Sequence, residues 1–154
     1  EKVSVYDLTS KTFRSLGSQS GEKNILLVNE VPVGCYAYTD ERSSEIVLRN
    51  LVANAIKFTG SGGMVVVSVE EENGFVKLKV KDNGVGIHPD KQKLIFSDTY
   101  YTTPGTFREK GTGLGLMICR DLVERGGGQL NFESQFQKGT EFTFSMPKTK
   151  RLKN

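Results

Sequence analysis

The sequence predicts an α+β fold: a two-layer α/β sandwich with helices on one face of a mostly antiparallel, mixed sheet. Three features of the 154-residue chain point there. Two pairs of alternating runs flank turn residues, at Glu72-Asn73-Gly74 and at Lys138-Gly139, and each pair reads as a β-hairpin. Two segments, near 40–58 and 114–125, carry apolar residues at helical spacing. Between them, from Asn83 to Thr112, runs a loop of about thirty residues, and a loop that long inside a compact domain is usually functional.

The elements follow in order. Residues 5–17 read as a first helix, with Tyr6, Phe13 and Leu16 among its apolar positions. Ile25 to Val28 reads as a strand, and Val33 to Tyr38 as the next. Asp40 or Ser43 caps a long helix running to about Phe58, with Leu48, Leu51, Val52 and Ala55 on one side, and Gly60, Gly62 and Gly63 end it. MVVVSVE and FVKLKVKD form the first hairpin, because Asn-Gly supplies the positive φ angles of a tight turn. The long loop holds one apolar piece, KLIFS. Leu114 to Arg125 forms the last helix, stopped by Gly126-Gly127-Gly128. QLNFES and TEFTFSM close the chain as the second hairpin.

Composition narrows the function classes. The chain is 36% hydrophobic and 25% charged, with no tryptophan, as expected of a globular domain. No apolar run approaches the roughly 18 residues of a membrane span. Residues 1–154 read as one domain, with 148–154 a basic tail or linker. The start EKVSVYDLTS has neither a methionine nor a signal pattern, and reads as a piece of a longer protein. The net charge of +3 owes much to the tail KTKRLKN, so nucleic acid is not an expected partner. Cys35 and Cys119 stand in apolar surroundings and read as reduced core residues, and no His/Cys cluster suggests zinc.

Three constellations carry chemistry. Asn50, Asn54 and Lys57 share one face of the long helix at spacings of four and three. They form either a solvated polar face or a set of amide oxygens and an ammonium meeting a metal-bound polyphosphate; an Asn oxygen is a hard neutral ligand suited to Mg²⁺. In Asp82-Asn83-Gly84-Val85-Gly86-Ile87, strand parity places Asp82 on the apolar face with Val76, Leu78 and Val80. A carboxylate there needs a partner: it either caps the turn or accepts an N–H from a ligand that Gly84 and Gly86 allow close to the backbone. Thr140 shares the parity of Phe142, Phe144 and Met146, as a satisfied core threonine or a ligand contact. Finally, Gly111-Thr112-Gly113-Leu114-Gly115-Leu116 runs into the last helix, where exposed backbone N–H groups and the helix dipole favour an anion. The loop has neither the dinucleotide-binding spacing nor GxxxxGK[ST], so a nucleotide site here belongs to neither common phosphate-loop class.

In this order the motifs resemble the GHKL ATPase superfamily, and specifically the catalytic domain of sensor histidine kinases. VLRNLVANAIKFTGSGG resembles the family's N box, KDNGVGI its first glycine box, and LIFSDTYYT its phenylalanine box. GTFREKGTGLGLMICRDLVERGGG resembles the end of the ATP lid and the second glycine box, and KGTEFTFSMP the closing strand. The match covers about Asp40 to Pro147; the first forty residues match only in general pattern.

The resemblance implies the Bergerat fold, ATP with Mg²⁺, and transfer of the γ-phosphate to a histidine on a separate dimerisation domain. Asn54 would ligate Mg²⁺, with Asn50 and Lys57 on the phosphates. Asp82 would accept from the adenine amino group, with Thr140 supporting it through a water. Gly84, Gly86 and Ile87 would line the adenine pocket. Gly111, Thr112, Gly113, Leu114, Gly115 and Leu116 would form the loop beside the phosphates, residues 97–110 the lid, and Lys110 would reach the γ-phosphate. Thr99 departs from the phenylalanine box, and His88 follows the first glycine box where many members carry proline or serine. The expected partners are that dimerisation domain and a response regulator receiver domain, within a dimeric, membrane-associated sensor whose catalytic domain is cytoplasmic. Related ATP hydrolases place a glutamate base where this chain has Asn50, which cannot take a proton from water. A non-catalytic nucleotide-binding module is the other alternative.

Overall fold

The structure is a computed structural model, and it describes residues 1–96 and 115–150. Its framework is a five-stranded sheet of β2 (Leu26–Asn29), β4 (Met64–Glu72), β5 (Phe75–Asp82), β6 (Leu130–Gln135) and β7 (Gly139–Pro147), in the order β2-β4-β5-β7-β6. Only the β2–β4 pair is parallel; the remaining pairs are antiparallel. The expected mixed sheet is therefore present.

Strand alternation decides which face is buried. Val76, Leu78 and Val80 on β5, Val65 and Val67 on β4, and Phe142, Phe144 and Met146 on β7 are all at most 4% exposed. The intervening Lys77, Lys79 and Lys81 face outward, where Lys79 pairs with Glu70 at 2.7 Å and Lys77 with Glu72 at 3.2 Å. On the buried face lie α1 (Val5–Ser15), α3 (Glu41–Lys57) and α5 (Gly115–Arg125). Their core positions include Val5 and Leu8; Val47, Leu48, Leu51 and Val52; and Leu116, Cys119 and Val123. Cys35 and Cys119 are both buried and free, as expected.

Local chemistry explains the boundaries. Ser4 caps α1 by accepting from Asp7 N–H at 3.2 Å. Asp40 precedes α3 and accepts from Ser43 Oγ at 2.7 Å, so the two candidate caps are bonded to each other. Asn73 and Gly74 have φ of 53° and 80° between the paired Glu72 and Phe75, the two-residue turn expected there.

Three features differ from expectation. The strand expected over Val33–Tyr38 is only β3, Tyr36–Tyr38. Pro32 turns the chain first, with Cys35 N–H donating to the Pro32 carbonyl at 3.1 Å and Val33 left 71% exposed. A strand β1 (Lys2–Ser4) pairs with β3 as a separate two-stranded sheet, and a short helix α2 (Gly17–Glu22) follows α1. Within the long loop a turn of helix α4 (Pro89–Gln92) forms, and Ile95 and Phe96 of KLIFS pack into the core, Phe96 against Phe132 and beneath the Arg120 guanidinium. Lys148, at the head of the basic tail, is tied to the first hairpin through Glu71 at 2.7 Å and the Gly74 carbonyl at 2.9 Å.

The turn after α5 presses close to β7. A Cβ on Gly128 would collide with the Ser145 backbone carbonyl, whereas one on Gly126 would meet nothing nearer than 3.5 Å. Gly128→Ala should therefore destabilise the fold by about 1–3 kcal/mol, the cost of overpacking, and Gly126→Ala much less. Paired urea melts read the difference, and equal midpoints would contradict the close packing of this turn.

Candidate functional site

Asp82 ends the buried face of β5 and is 7% exposed. Its carboxylate accepts the Gly84 N–H at 2.9 Å, which is the turn-capping role left open by the sequence. The opposite residue on β7 is Thr140, also 7% exposed. Burial pushes the Asp82 carboxyl up to about 6, against the opposing pull of the Gly84 and Thr140 backbone N–H groups.

The loop after Asp82 is clamped from two sides. Val85 N–H donates to the Phe58 carbonyl at 3.0 Å, fastening the loop to the end of α3. On the other side Gln137 N–H donates to the Val85 carbonyl, and Ile87 N–H donates to Ser134 Oγ at 2.7 Å. A Cβ at Gly84 would strike the Phe58 carbonyl, and one at Gly86, where φ is +70°, would strike the Gln135 carbonyl. These two glycines hold the loop between α3 and the β6–β7 hairpin.

α3 brings Asn54 and Lys57 to the same region. They are 7% and 8% exposed, so this helix face is not the solvated face that the sequence left open. Lys57 Nζ lies 4.9 Å from the Phe58 ring centroid. Asn50, one turn earlier, is half-buried and donates Nδ2 to the Ile46 carbonyl at 2.7 Å. Lys23, absent from the expected site, is 4% exposed and donates to the Ile56 and Lys57 carbonyls at 2.8 and 3.1 Å, closing the C-terminus of α3.

Asn54, Asp82, Gly86, Ile87 and Thr140 line one cavity, together with Phe58 and Phe142. Five expected site residues from separate parts of the chain thus meet. Gly84 stands beside it, and Gly115 and Leu116 begin α5, which packs on α3. Lys110, Gly111, Thr112, Gly113 and Leu114 lie outside the described residues, as do Thr99 and the segment 97–110 read as a lid. The cavity measures about 10 Å³, room for at most about one water molecule. His88 caps α4, with Nδ1 accepting from Asp90 N–H at 3.1 Å and its ring edge-on to Phe136 at 5.0 Å. Sequence reasoning missed Ser134, whose only signal was its inward parity with Leu130 and Phe132. Among the described residues no cluster of His, Cys, Asp or Glu could hold a metal, and no helix is long and apolar enough to cross a membrane.

Comparison with known proteins agrees with this fold. The model of the histidine kinase-, DNA gyrase B- and HSP90-like ATPase family matches residues 39–150. The nucleotide-free catalytic domain of histidine kinase ThkA superposes with a TM-score of 0.82 at 30% identity, covering 97% of this chain and 98% of that one. Full-length ShkA in complex with AMPPNP gives a TM-score of 0.77 at 27% identity, covering 96% of this chain and 30% of that one. Sensor protein EvgS of Escherichia coli is 31% identical over 151 residues, which is 94% of this chain and 12% of that protein. The adaptive-response sensory kinase SasA of Synechococcus sp. is 35% identical over 127 residues, 81% of this chain and 33% of that protein. The chain belongs to this ATPase family, as an ATP-binding catalytic domain of the sensor histidine kinases. It spans only 12% to 33% of the length of these two sensor proteins.

The Asp82 carboxyl gives a stability test that needs no ligand. Its pKa rises from 3.8 to about 6 on folding, so the folded chain binds this proton more tightly than the unfolded chain. Ionised Asp82 therefore costs stability above pH 6, by at most about 3 kcal/mol, and the cost fades as pH falls toward 4. Asp82→Asn should melt higher than the parent at pH 8 and alike near pH 4. A variant that melts lower at pH 8 would show that the charge is well solvated.

Proposed function

We propose that this chain binds ATP with Mg²⁺ through the cavity at Asp82 and delivers the γ-phosphate to a histidine on a separate dimerisation domain. The observation that carries the reading is the meeting of Asn54, Asp82 and Thr140, from α3, β5 and β7, at one cavity.

The chemistry of each group fits its proposed partner. Ionised Asp82 accepts hydrogen bonds only, which matches the adenine amino group. Phe58, Ile87 and Phe142 offer apolar surface to the ring, for which the cavity of about 10 Å³ would have to widen. The Asn54 amide oxygen is the Mg²⁺ ligand, while Asn50, Lys57 and the Gly111–Leu116 loop hold the phosphates with Lys110. Bound Mg²⁺ neutralises phosphate charge; the protein's part is positioning and further neutralisation. Thr112 and Leu114 belong to that loop in this reading. The parent protein is a dimeric, membrane-associated sensor with this domain in the cytoplasm, and it passes the phosphoryl group to a response regulator receiver domain.

Nucleotide choice tests the adenine assignment. Guanine presents a carbonyl where adenine presents its amino group, so Asp82 would face an acceptor. A mismatched buried group costs about 1–3 kcal/mol, roughly fivefold to over a hundredfold in affinity. Titration calorimetry should show ATP bound tighter than GTP by that factor. Because the Asp82 carboxyl titrates at about 6, ATP affinity should hold above pH 7 and fall roughly tenfold by pH 5, as the ionised fraction falls. Equal affinity for ATP and GTP would refute the assignment.

Phosphoryl transfer needs an in-line nucleophile beside the γ-phosphate. His88 follows the cavity residue Ile87 and is engaged in capping α4, at the adenine end in this reading. Incubation with labelled ATP should leave the isolated chain unlabelled. Adding the matching dimerisation domain should give an acid-labile label on that domain. Labelling of this chain alone, lost in His88→Ala, would overturn the reading.

A further inference from the structure

We propose that Lys23 is a positioning residue for the polyphosphate: it sets a buried positive charge against the end of α3, so that the site favours nucleotides by the charge of their phosphates. The inference rests on the proposed placement of Mg²⁺ at Asn54 and of phosphate at Lys57.

The last carbonyls of α3 all have donors. The Asn54 carbonyl accepts the Phe58 N–H at 3.1 Å, the Ala55 carbonyl accepts the Thr59 hydroxyl at 2.6 Å, and the Phe58 carbonyl accepts the Val85 N–H at 3.0 Å. Those three donors are neutral. The Ile56 and Lys57 carbonyls accept from Lys23 Nζ, at 2.8 and 3.1 Å. Lys23 stands in the turn between α2 and β2, and its own carbonyl accepts the Gly62 N–H at 3.3 Å. Both ends of the residue are therefore held against the chain that leaves α3.

Neutral donors can satisfy a helix end, as the neighbouring carbonyls show, so capping alone does not call for an ammonium. Lys23 is nevertheless buried, where lysine is rarely found because its charge gives up hydration. Lys57, whose carbonyl it bonds, is buried too. Two cations thus meet at one helix end, where they repel each other through a medium that screens them less than water does. A polyanion at this end relieves that repulsion and gains from both charges; an uncharged nucleoside gains from neither. Lys57 is the residue assigned to touch phosphate. Lys23 Nζ is engaged with the helix carbonyls and acts through them, by its field and by holding the last turn in place.

The test titrates ATP with Mg²⁺, and adenosine, into the whole chain, followed by amide chemical shifts, which also read weak binding. The parent should prefer ATP. Lys23→Met keeps most of the side-chain bulk and removes the charge. It should bind ATP roughly tenfold more weakly and adenosine within about twofold of the parent, as expected for one charge lost near an anion at an effective dielectric of about 20. A merely structural cap would weaken ATP and adenosine by the same factor, and that result overturns the proposal, as does an unchanged ATP affinity. If Lys23→Met gives no cooperative melt, Lys23→Gln, neutral and still a donor, is measured with the same expectation. A variant that keeps the parent's preference for ATP sinks this inference and leaves the phosphate site standing. A parent that binds ATP no tighter than adenosine sinks the proposed phosphate site itself.

Discussion

The architecture of the site follows from one constraint: the central strand β5 ends its buried face on a carboxylate. Asp82 follows Val76, Leu78 and Val80 on that face and is 7% exposed. A charge so placed is costly without compensation, and burial indeed pushes its pKa up to about 6. Two backbone N–H groups, from Gly84 and Thr140, offset part of the cost. They come from the two segments that must be in place for the carboxylate to be tolerated: the loop that leaves β5 and the strand beside it. The position of Asp82 therefore couples loop geometry to sheet register. Shifting β7 by one residue would replace Thr140 with an outward-facing neighbour and expose Phe142 and Phe144.

The glycines answer the same constraint. For the loop to bring Gly84 N–H back to Asp82, it must pass between the Phe58 carbonyl at the end of α3 and the Gln135 carbonyl of β6. Both surfaces lie closer than a side chain allows, so Gly84 and Gly86 are steric requirements of the loop itself. The same contacts bring Phe58 and Ile87 to the cavity wall.

Much of this was legible in the sequence because it depends on period. Strand parity identified Asp82 and Thr140 as inward-facing, and Asn73-Gly74 located the first hairpin turn. Helical spacing placed Asn54 and Lys57 together on α3. What periodicity could not supply was the depth of that face, since burial depends on neighbours distant in sequence; Lys23 illustrates this, reaching α3 from a turn 33 residues earlier. β1, β3 and α2 were missed or misjudged because each has at most six residues, too short to establish a period. Ser134 was missed because its role is a set of hydrogen bonds across three segments, and serine on a strand carries no local mark of that.

The end of α3 raises a further electrostatic question that Lys23 answers. A helix C-terminus carries partial negative charge from its last carbonyls, which disfavours polyphosphate nearby. Yet the proposed Mg²⁺ ligand Asn54 and the proposed phosphate ligand Lys57 occupy the last turn of this helix. Lys23 Nζ bonds the Ile56 and Lys57 carbonyls from a position 4% exposed to solvent, so its charge acts where water screens it little. It turns the terminus from an anion-repelling one into one carrying net positive charge, to which Lys57 adds. The cavity itself is lined by the Asp82 carboxylate, raised in pKa but ionised at neutral pH. The site is therefore polar along its length, with a hydrogen-bond-accepting anion at the sheet and cations at the helix end. Under the proposed function, that polarity would favour ATP with its base at β5 and its phosphates at α3.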